Sequence, residues 1–225
     1  MALSGDAYAG FYTTYADLRT PTVTKQGGAM LRLEHDMQWA QFVSLSSFRT
    51  VDGQQPIDQD GSSRMFGTAE IFGKEDTYTQ EFQILSPKDS KVSWVGGLYY
   101  YNDDAKYDPL TIYTGTVAIN TPVFIPSIGQ TVNAGGAITN IPMVTTTIIS
   151  RMKAKSYAAF GQATVEVLPK LSVTGGLRYT SDKRSIVGHV NTAADTAQSA
   201  TFNKLTYKAT ADHKFTPDVV AYLQY

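Results

Sequence analysis

The sequence predicts an all-β chain in which about eight antiparallel strands follow one another up and down through one sheet. Three observations predict it: side chains that alternate with period two, connections that alternate between short and long, and alternating runs longer than ordinary strands. No segment carries a convincing helical period.

The alternation is cleanest over 171–182, where Leu171, Val173, Gly175, Leu177 and Tyr179 oppose Ser172, Thr174, Gly176, Arg178, Thr180 and Asp182. Successive side chains of a strand point to opposite faces, so this pattern describes a strand with one apolar and one polar face. Segment 204–215 repeats it, with Leu205, Tyr207, Ala209, Ala211, His213 and Phe215 against Lys204, Thr206, Lys208, Thr210, Asp212 and Lys214. Segment 155–167 sets Tyr157, Ala159, Gly161, Ala163, Val165 and Val167 against Ser156, Gln162, Thr164 and Glu166. Fainter copies lie at 29–35 and 77–86, less regular strand-rich stretches at 38–50 and 91–103, and a last short strand at 219–225.

Short links with turn-forming residues fall at Asp36-Met37, 87–90, Pro169-Lys170 and 216–218. Long loops are expected near 53–75, 105–150 and 188–202, and residues 1–27 read as a loop or the end of a preceding strand. Short turns on one rim and long loops on the other imply a sheet whose two ends meet different surroundings. Several alternating runs reach 10–13 residues, whereas strands of soluble proteins are most often about 5–6 residues long. A strand that crosses a membrane needs about 9–11. The face carrying Lys204, Lys208, Asp212 and Lys214 must then meet water, because a lysine or arginine at the bilayer midplane costs about 2–4 kcal/mol. The fold expected is an antiparallel up-and-down transmembrane β-barrel segment.

Composition narrows the function. Among 225 residues, 19 Lys and Arg nearly balance 20 Asp and Glu, so no broad basic field exists to attract nucleic acid. Zero cysteines remove thiol nucleophiles and cysteine-based metal sites, and His35, His189 and His213 lack ligand spacing. No catalytic arrangement emerges, since no Gly-x-Ser-x-Gly elbow or metal-binding histidine pair organises the serines and histidines. No cofactor, metal site or enzymatic activity is expected. The N-terminus lacks the basic and apolar regions of a signal peptide, so an export signal is expected to lie outside this chain. Residues 109–150 carry no charge, but Pro122, Pro126 and Pro142 break them too often for a membrane helix, leaving a loop with one or two short strands.

The stretch YAAFGQATVEVLPKLSVTGGLRYTSDKR (157–184) resembles the barrel hairpin of TonB-dependent outer-membrane receptors, and YTQEFQILSPKDSKVSWVGGLYYYND (78–103) resembles the hairpin before it. The resemblance covers about residues 28–225. It implies an internal segment of a barrel of about 22 strands in the outer membrane of a Gram-negative bacterium. It further implies a receptor whose plug and TonB box lie outside this chain, and active uptake of a scarce nutrient such as a ferric siderophore. The implied partners are outer-membrane lipid, the TonB system acting through the plug, and the nutrient itself. Two other readings fit the alternation: an autonomous eight-stranded outer-membrane barrel with a structural or adhesive role, and a soluble β-sandwich binding module.

Candidate contacts for a plug or ligand follow from the expected faces. Arg32, Glu34, Glu81, Arg178 and Asp182 fall on the wet face, either as contacts or simply as the polar half of the alternation. Glu81 and Arg178 are also a possible cross-strand ion pair. Tyr107, Tyr113 and Phe124 lie in the long loop expected at 105–150, where they would stack on a ligand or on one another. Tyr99, Tyr100, Tyr101, Tyr157, Tyr179 and Tyr207 are expected to form an interfacial girdle. The repeated phrases GGLYY (96–100) and GGLRY (175–179) read as two copies of one wall strand, with Leu98 and Leu177 towards lipid.

Overall fold

A computed structural model describes Phe11, residues 21–58, 67–114 and 144–225, and the backbone of four short segments between 118 and 140. The main sheet has eight strands in sequence order. They are β1 (Val23–Asp36), β2 (Gln41–Asp58), β3 (Gly67–Leu85), β4 (Val92–Thr114), β9 (Val144–Leu168), β10 (Leu171–Val190), β11 (Thr196–Thr216) and β12 (Val219–Gln224). Between β4 and β9, β5 (Ala118–Ile119) pairs with β8 (Thr139–Asn140) and β6 (Val123–Ile125) with β7 (Gln130–Val132). Every ladder is antiparallel.

The strand count and the absence of helix among the described residues agree with the sequence reading, but the strand lengths do not. β2, β3, β4, β9, β10 and β11 run for 18, 19, 23, 25, 20 and 21 residues. They take in much of the expected loops: 53–58 and 67–75 belong to β2 and β3, 105–114 and 144–150 to β4 and β9, and 188–202 is reduced to a five-residue turn at 191–195. Residues 23–27, expected outside the first clear strand, belong to β1. The reason is that a polar, Gly- and Asp-rich stretch has little strand preference of its own, yet pairs where a neighbouring strand offers a ladder. Gly188 pairs with both Thr196 and Ser150 in this way.

Register assigns the faces, because directly opposed residues share one. One row across the sheet reads Phe42, Ile84, Gly96, Gly161, Leu177, Tyr207, and the next on the same face Ser44, Phe82, Leu98, Ala159, Tyr179, Leu205. On the other face, Arg32, Leu45, Glu81, Tyr99, Ala158, Thr180 and Lys204 form one row. The row beside it holds Glu34, Val43, Gln83, Gly97, Phe160, Arg178 and Thr206.

The first face exposes its large apolar side chains: Leu98, Leu177 and Leu205 are 60, 59 and 61% accessible. The buried apolar residues among those described are only Ala40, Val43, Ala69 and Ala158. A water-soluble domain would not leave so wide an apolar surface uncovered. The soluble β-sandwich reading fails on this and on the single continuous sheet. The autonomous barrel reading fails because, among the described residues, β1 pairs with β2 alone and β12 with β11 alone.

Tyrosines cross the apolar face as a staircase. Tyr78 meets Tyr100 at 6.1 Å between ring centroids, Tyr100 meets Tyr157 at 5.1 Å, and Tyr207 stacks on Tyr225 at 5.8 Å. Tyr179 is diagonal to Tyr157, and Tyr207 to Tyr179. Such a descent across ladder rows is the signature of tilted strands, which turns a diagonal in the ladder into a level belt. Tyr99 and Tyr101, expected in that belt, are on the polar face instead, because three consecutive tyrosines in a strand cannot share a side.

The β9–β10 turn holds Pro169 followed by Lys170 at φ 68°, a left-handed conformation that favours glycine. The Lys170 N–H donates to Glu166 Oε1 at 2.8 Å, and its carbonyl accepts from the Lys214 N–H at 2.8 Å. Neither bond uses the lysine side chain. Lys170→Gly is therefore expected to stabilise the folded protein by about 0.5–1 kcal/mol, read as an upward shift of the urea midpoint in detergent.

Candidate functional site

The polar face carries two features in which side chains from separate strands converge. The first is an aromatic-cation cluster in mid-wall. Gly97 of β4 lacks a side chain directly opposite Phe160 of β9, and the phenyl ring lies over it, since a Cβ at Gly97 would stand 2.5 Å from Phe160 Cζ. Arg178 of β10, opposite Phe160, sets its guanidinium 5.7 Å from the Phe160 ring centre and 5.5 Å from that of Tyr99. Its Nε donates to Thr180 Oγ1 at 3.2 Å. The planar guanidinium is held between rings and keeps donors free for an acceptor on the wet side.

Around this cluster runs a hydrogen-bonded polar wall. Gln83 Nε2 donates to Glu81 Oε1 at 2.5 Å, Ser47 and Thr79 share a bond of 2.6 Å, and Thr77 Oγ1 donates to Asp103 at 2.9 Å. Arg49 reaches Glu75 at 3.0 Å, and Arg32 pairs with Glu34 along β1.

The second feature is a cleft of about 460 Å³ on the polar face, nearer the rim opposite the short turns. Val51, Ile71, Ala105, Met152 and Ile186 make its apolar lining, with Glu75 beside them. Tyr107 closes one side, its ring 3.5 Å from where a Cβ of Gly73 would stand.

The sequence candidates divide accordingly. Arg32, Glu34, Glu81, Arg178 and Asp182 do share the polar face, with Arg32 and Glu81 in one row and Glu34 and Arg178 in the next. Glu81 and Arg178 form no ion pair, because β4 and β9 separate their strands and Arg178 turns to the rings of those two. Tyr107 is a strand residue of the cleft rather than a loop residue. Tyr113 is also in β4, opposite Thr68 and Thr145, and counting the ladder past the irregularity at Tyr107/Leu110 places it on the outer face. Phe124 pairs with Thr131 in the β6–β7 ladder, and its expected side-chain contacts lie outside the described residues. Phe160 and Gly97 were not legible as site residues, since only register places a β9 ring over a β4 glycine. Among the described residues no group of three or more His, Asp or Glu is placed to hold a metal ion.

Arg178→Ala is expected to cost about 1 kcal/mol through loss of two ring contacts. Arg178→Lys should recover little of it, because a point charge does not stack as a planar fork does. Denaturant unfolding of the three proteins in detergent checks the order.

One antiparallel sheet of strands this long, apolar and exposed on one side and polar on the other, defines the wall of a transmembrane β-barrel. The chain belongs to the TonB-dependent receptors: residues 2–225 match the β-barrel domain described as TonB dependent receptor-like. No curated protein matches it. Among solved structures it is similar to the ferric yersiniabactin uptake receptor FyuA of Yersinia pestis, at TM-score 0.69 and 14% identity, over 90% of this chain and 28% of that one. It is also similar to the siderophore receptor PiuA of Acinetobacter baumannii, at TM-score 0.60 and 12% identity, over 90% of this chain and 32% of that one. A third is the ferric-catecholate import receptor Fiu of E. coli K12 in its closed form, at TM-score 0.52 and 14% identity, with 90% and 32% covered. At these identities the likeness concerns the fold, and the chain spans about a third or less of each structure. The family is one of receptors rather than enzymes, and its barrels are outer-membrane proteins.

Proposed function

We propose that this chain forms part of the barrel wall of a receptor in the outer membrane of a Gram-negative bacterium, and that the receptor takes up a ferric siderophore with energy delivered by TonB through a plug. The observation that carries the membrane part is the exposed apolar face crossed by a tyrosine staircase, with a hydrogen-bonded polar face behind it. The uptake part is supported by the family and by the three similar structures, one named as a ferric yersiniabactin uptake receptor, one as a siderophore receptor and one as a ferric-catecholate import receptor. In this reading Arg32, Glu34, Glu81, Arg178 and Asp182 form the hydrated wall against which a plug moves, since a surface of mobile donors and acceptors exchanges partners at little cost. The cleft beside Tyr107 faces the passing ligand.

The test is uptake of radioactive iron by a Gram-negative strain stripped of its own siderophore receptors and given the complete reading frame that contains this chain. Accumulation of at least one ferric siderophore, abolished when TonB is deleted, is the expected result. Recovery of the product in the soluble fraction would overturn the membrane reading, and outer-membrane assembly without uptake of any ferric siderophore would overturn the substrate reading.

A further inference from the structure

The polar face is not evenly charged. On β1–β4 its cations are matched, Arg32 by Glu34 and Arg49 by Glu75, while Glu81 and Asp103 accept from the neutral Gln83 and Thr77. β10 and β11 carry the opposite excess. Arg178, Arg184, Lys204, Lys208 and Lys214 share this face with Asp182 and Asp212. None of these cations forms an ion pair among the described residues. Arg184 stands opposite Ala154 and Ala200, Lys204 opposite Thr180, and Lys208 opposite Gly176, so the residues directly across the ladder offer them no carboxylate. All three are exposed.

These cations descend from the cleft. Its row of Val51, Glu75, Ala105, Met152 and Ile186 is followed by the row of Arg184. Lys204, Arg178 and Lys208 occupy three successive rows further towards the Pro169-Lys170 turn. Rows on one face are two residues apart, about 7 Å, so an anion leaving one of these three cations meets the next within a side chain's reach. An ion moves along such a series when each site attracts it enough to enter and weakly enough to leave. Glu75, the carboxylate of the cleft, is already held by Arg49. That leaves Arg184, in the row below Ile186, as the unmatched charge beside the apolar lining.

We infer that the cargo is a ferric complex of net negative charge with an apolar portion, the apolar part seated in the cleft and the charge at Arg184. It then passes towards the short-turn rim along β10 and β11, by way of Lys204, Arg178 and Lys208. This names the charge class of the cargo and rests on the uptake reading above. A lumen wall lined by one sign of charge raises the local concentration of the opposite sign. Its ammonium and guanidinium groups donate charge-assisted hydrogen bonds to carboxylate or catecholate oxygens. A neutral complex gains neither.

The test gives the receptor-stripped, TonB-competent strain the complete reading frame that contains this chain and offers it three radioactive iron complexes. A ferric tris-catecholate and a ferric hydroxycarboxylate are anionic, and a ferric trihydroxamate is neutral. At least one anionic complex should accumulate, and the neutral one should not. Lys204→Gln/Lys208→Gln should slow accumulation of the anionic complex on the order of ten-fold, with the loss in the rate of entry rather than in energy-independent binding to the cells. Arg184→Gln should weaken that binding, and Lys204→Arg/Lys208→Arg, which restores the charge, should recover the rate. Accumulation of the neutral complex as fast as the anionic ones would overturn the inference, as would equal rates for wild type and the double Gln variant. So would a slowed Gln variant whose cells become sensitive to vancomycin, because a loosened plug then explains the loss and the lysines are its docking surface. If the double Gln variant fails to assemble, the single variants and Arg184→Gln decide on the same criteria. Uptake of a neutral ferric siderophore alone defeats this inference and leaves the uptake reading standing, whereas a receptor in the outer membrane that takes up no ferric siderophore defeats the reading beneath it.

Discussion

Leu177→Arg is expected to destabilise the assembled barrel by about 1–3 kcal/mol, below the full cost of an arginine at the bilayer midplane because the tyrosine belt lies two residues away. Leu177 is on the apolar face, 59% exposed, with Tyr179 of the staircase two residues further along β10 and the Pro169-Lys170 turn behind it. Its neighbour in the chain is already an arginine, and Arg178 is accommodated because it faces the other way. The control is Gln162→Arg. Gln162 is exposed on the polar face across from Gly176, one ladder row from Leu177, and the change there should stay within about 0.5 kcal/mol. Equilibrium unfolding in detergent or lipid, followed by the loss of the heat-modifiable band, measures both. A larger loss for Gln162→Arg than for Leu177→Arg would mean that the faces are assigned the wrong way round, and equal losses that neither face alone meets lipid.

The second large effect is expected at Gly97. A Cβ there would stand 2.5 Å from Phe160 Cζ and 2.6 Å from the Phe82 carbonyl oxygen. Rotating the phenyl ring removes only the first of these clashes, because the second is with backbone. Gly97→Ala is therefore expected to cost about 1–3 kcal/mol, as other overpacked substitutions do. It should also disturb the ring on which Arg178 rests, so combining it with Arg178→Ala should cost less than the sum of the two, a coupling that a double-mutant cycle reads. Gly175, the first glycine of the matching phrase, has nothing within 4 Å of a Cβ position. Gly175→Ala should be neutral or stabilising by about 0.4–1 kcal/mol. Gly176, which holds the place of Gly97 in that phrase, would meet the Gln162 side chain at 3.4 Å and no atom closer, so the severe clash belongs to one of two phrases that look alike.

The architecture was legible to an unusual degree because period-two alternation carries its own physical meaning. Wherever Leu177 stands beside Arg178, or Leu205 beside Lys204, one must meet an apolar medium and the other a wet one, whatever lies next to the strand. The strands and their two faces follow from that, and their up-and-down order from the short links that join them on one rim. Strand ends were less legible. Residues 188–190 and 196–202 carry a weak pattern, and they extend β10 and β11 only because each finds a partner already in place. The candidate site was legible by face and not by contact. Arg178 and Glu81 are both legible as wet-facing charges, but the register that decides which groups each one meets is not in the sequence.

What the sequence by itself determined is therefore the alternation, the polarity of the faces and the length that suits a membrane, since these are local properties of the chain. Tertiary structure decided the register: that Phe160 covers Gly97, that Arg178 rests on Tyr99 rather than on Glu81, and that Tyr99 and Tyr100 part to opposite sides. Register depends on which neighbour's hydrogen-bonding groups a strand meets, and a one-residue slip would exchange every face. That information resides between strands far apart in sequence, and only the assembled sheet contains it.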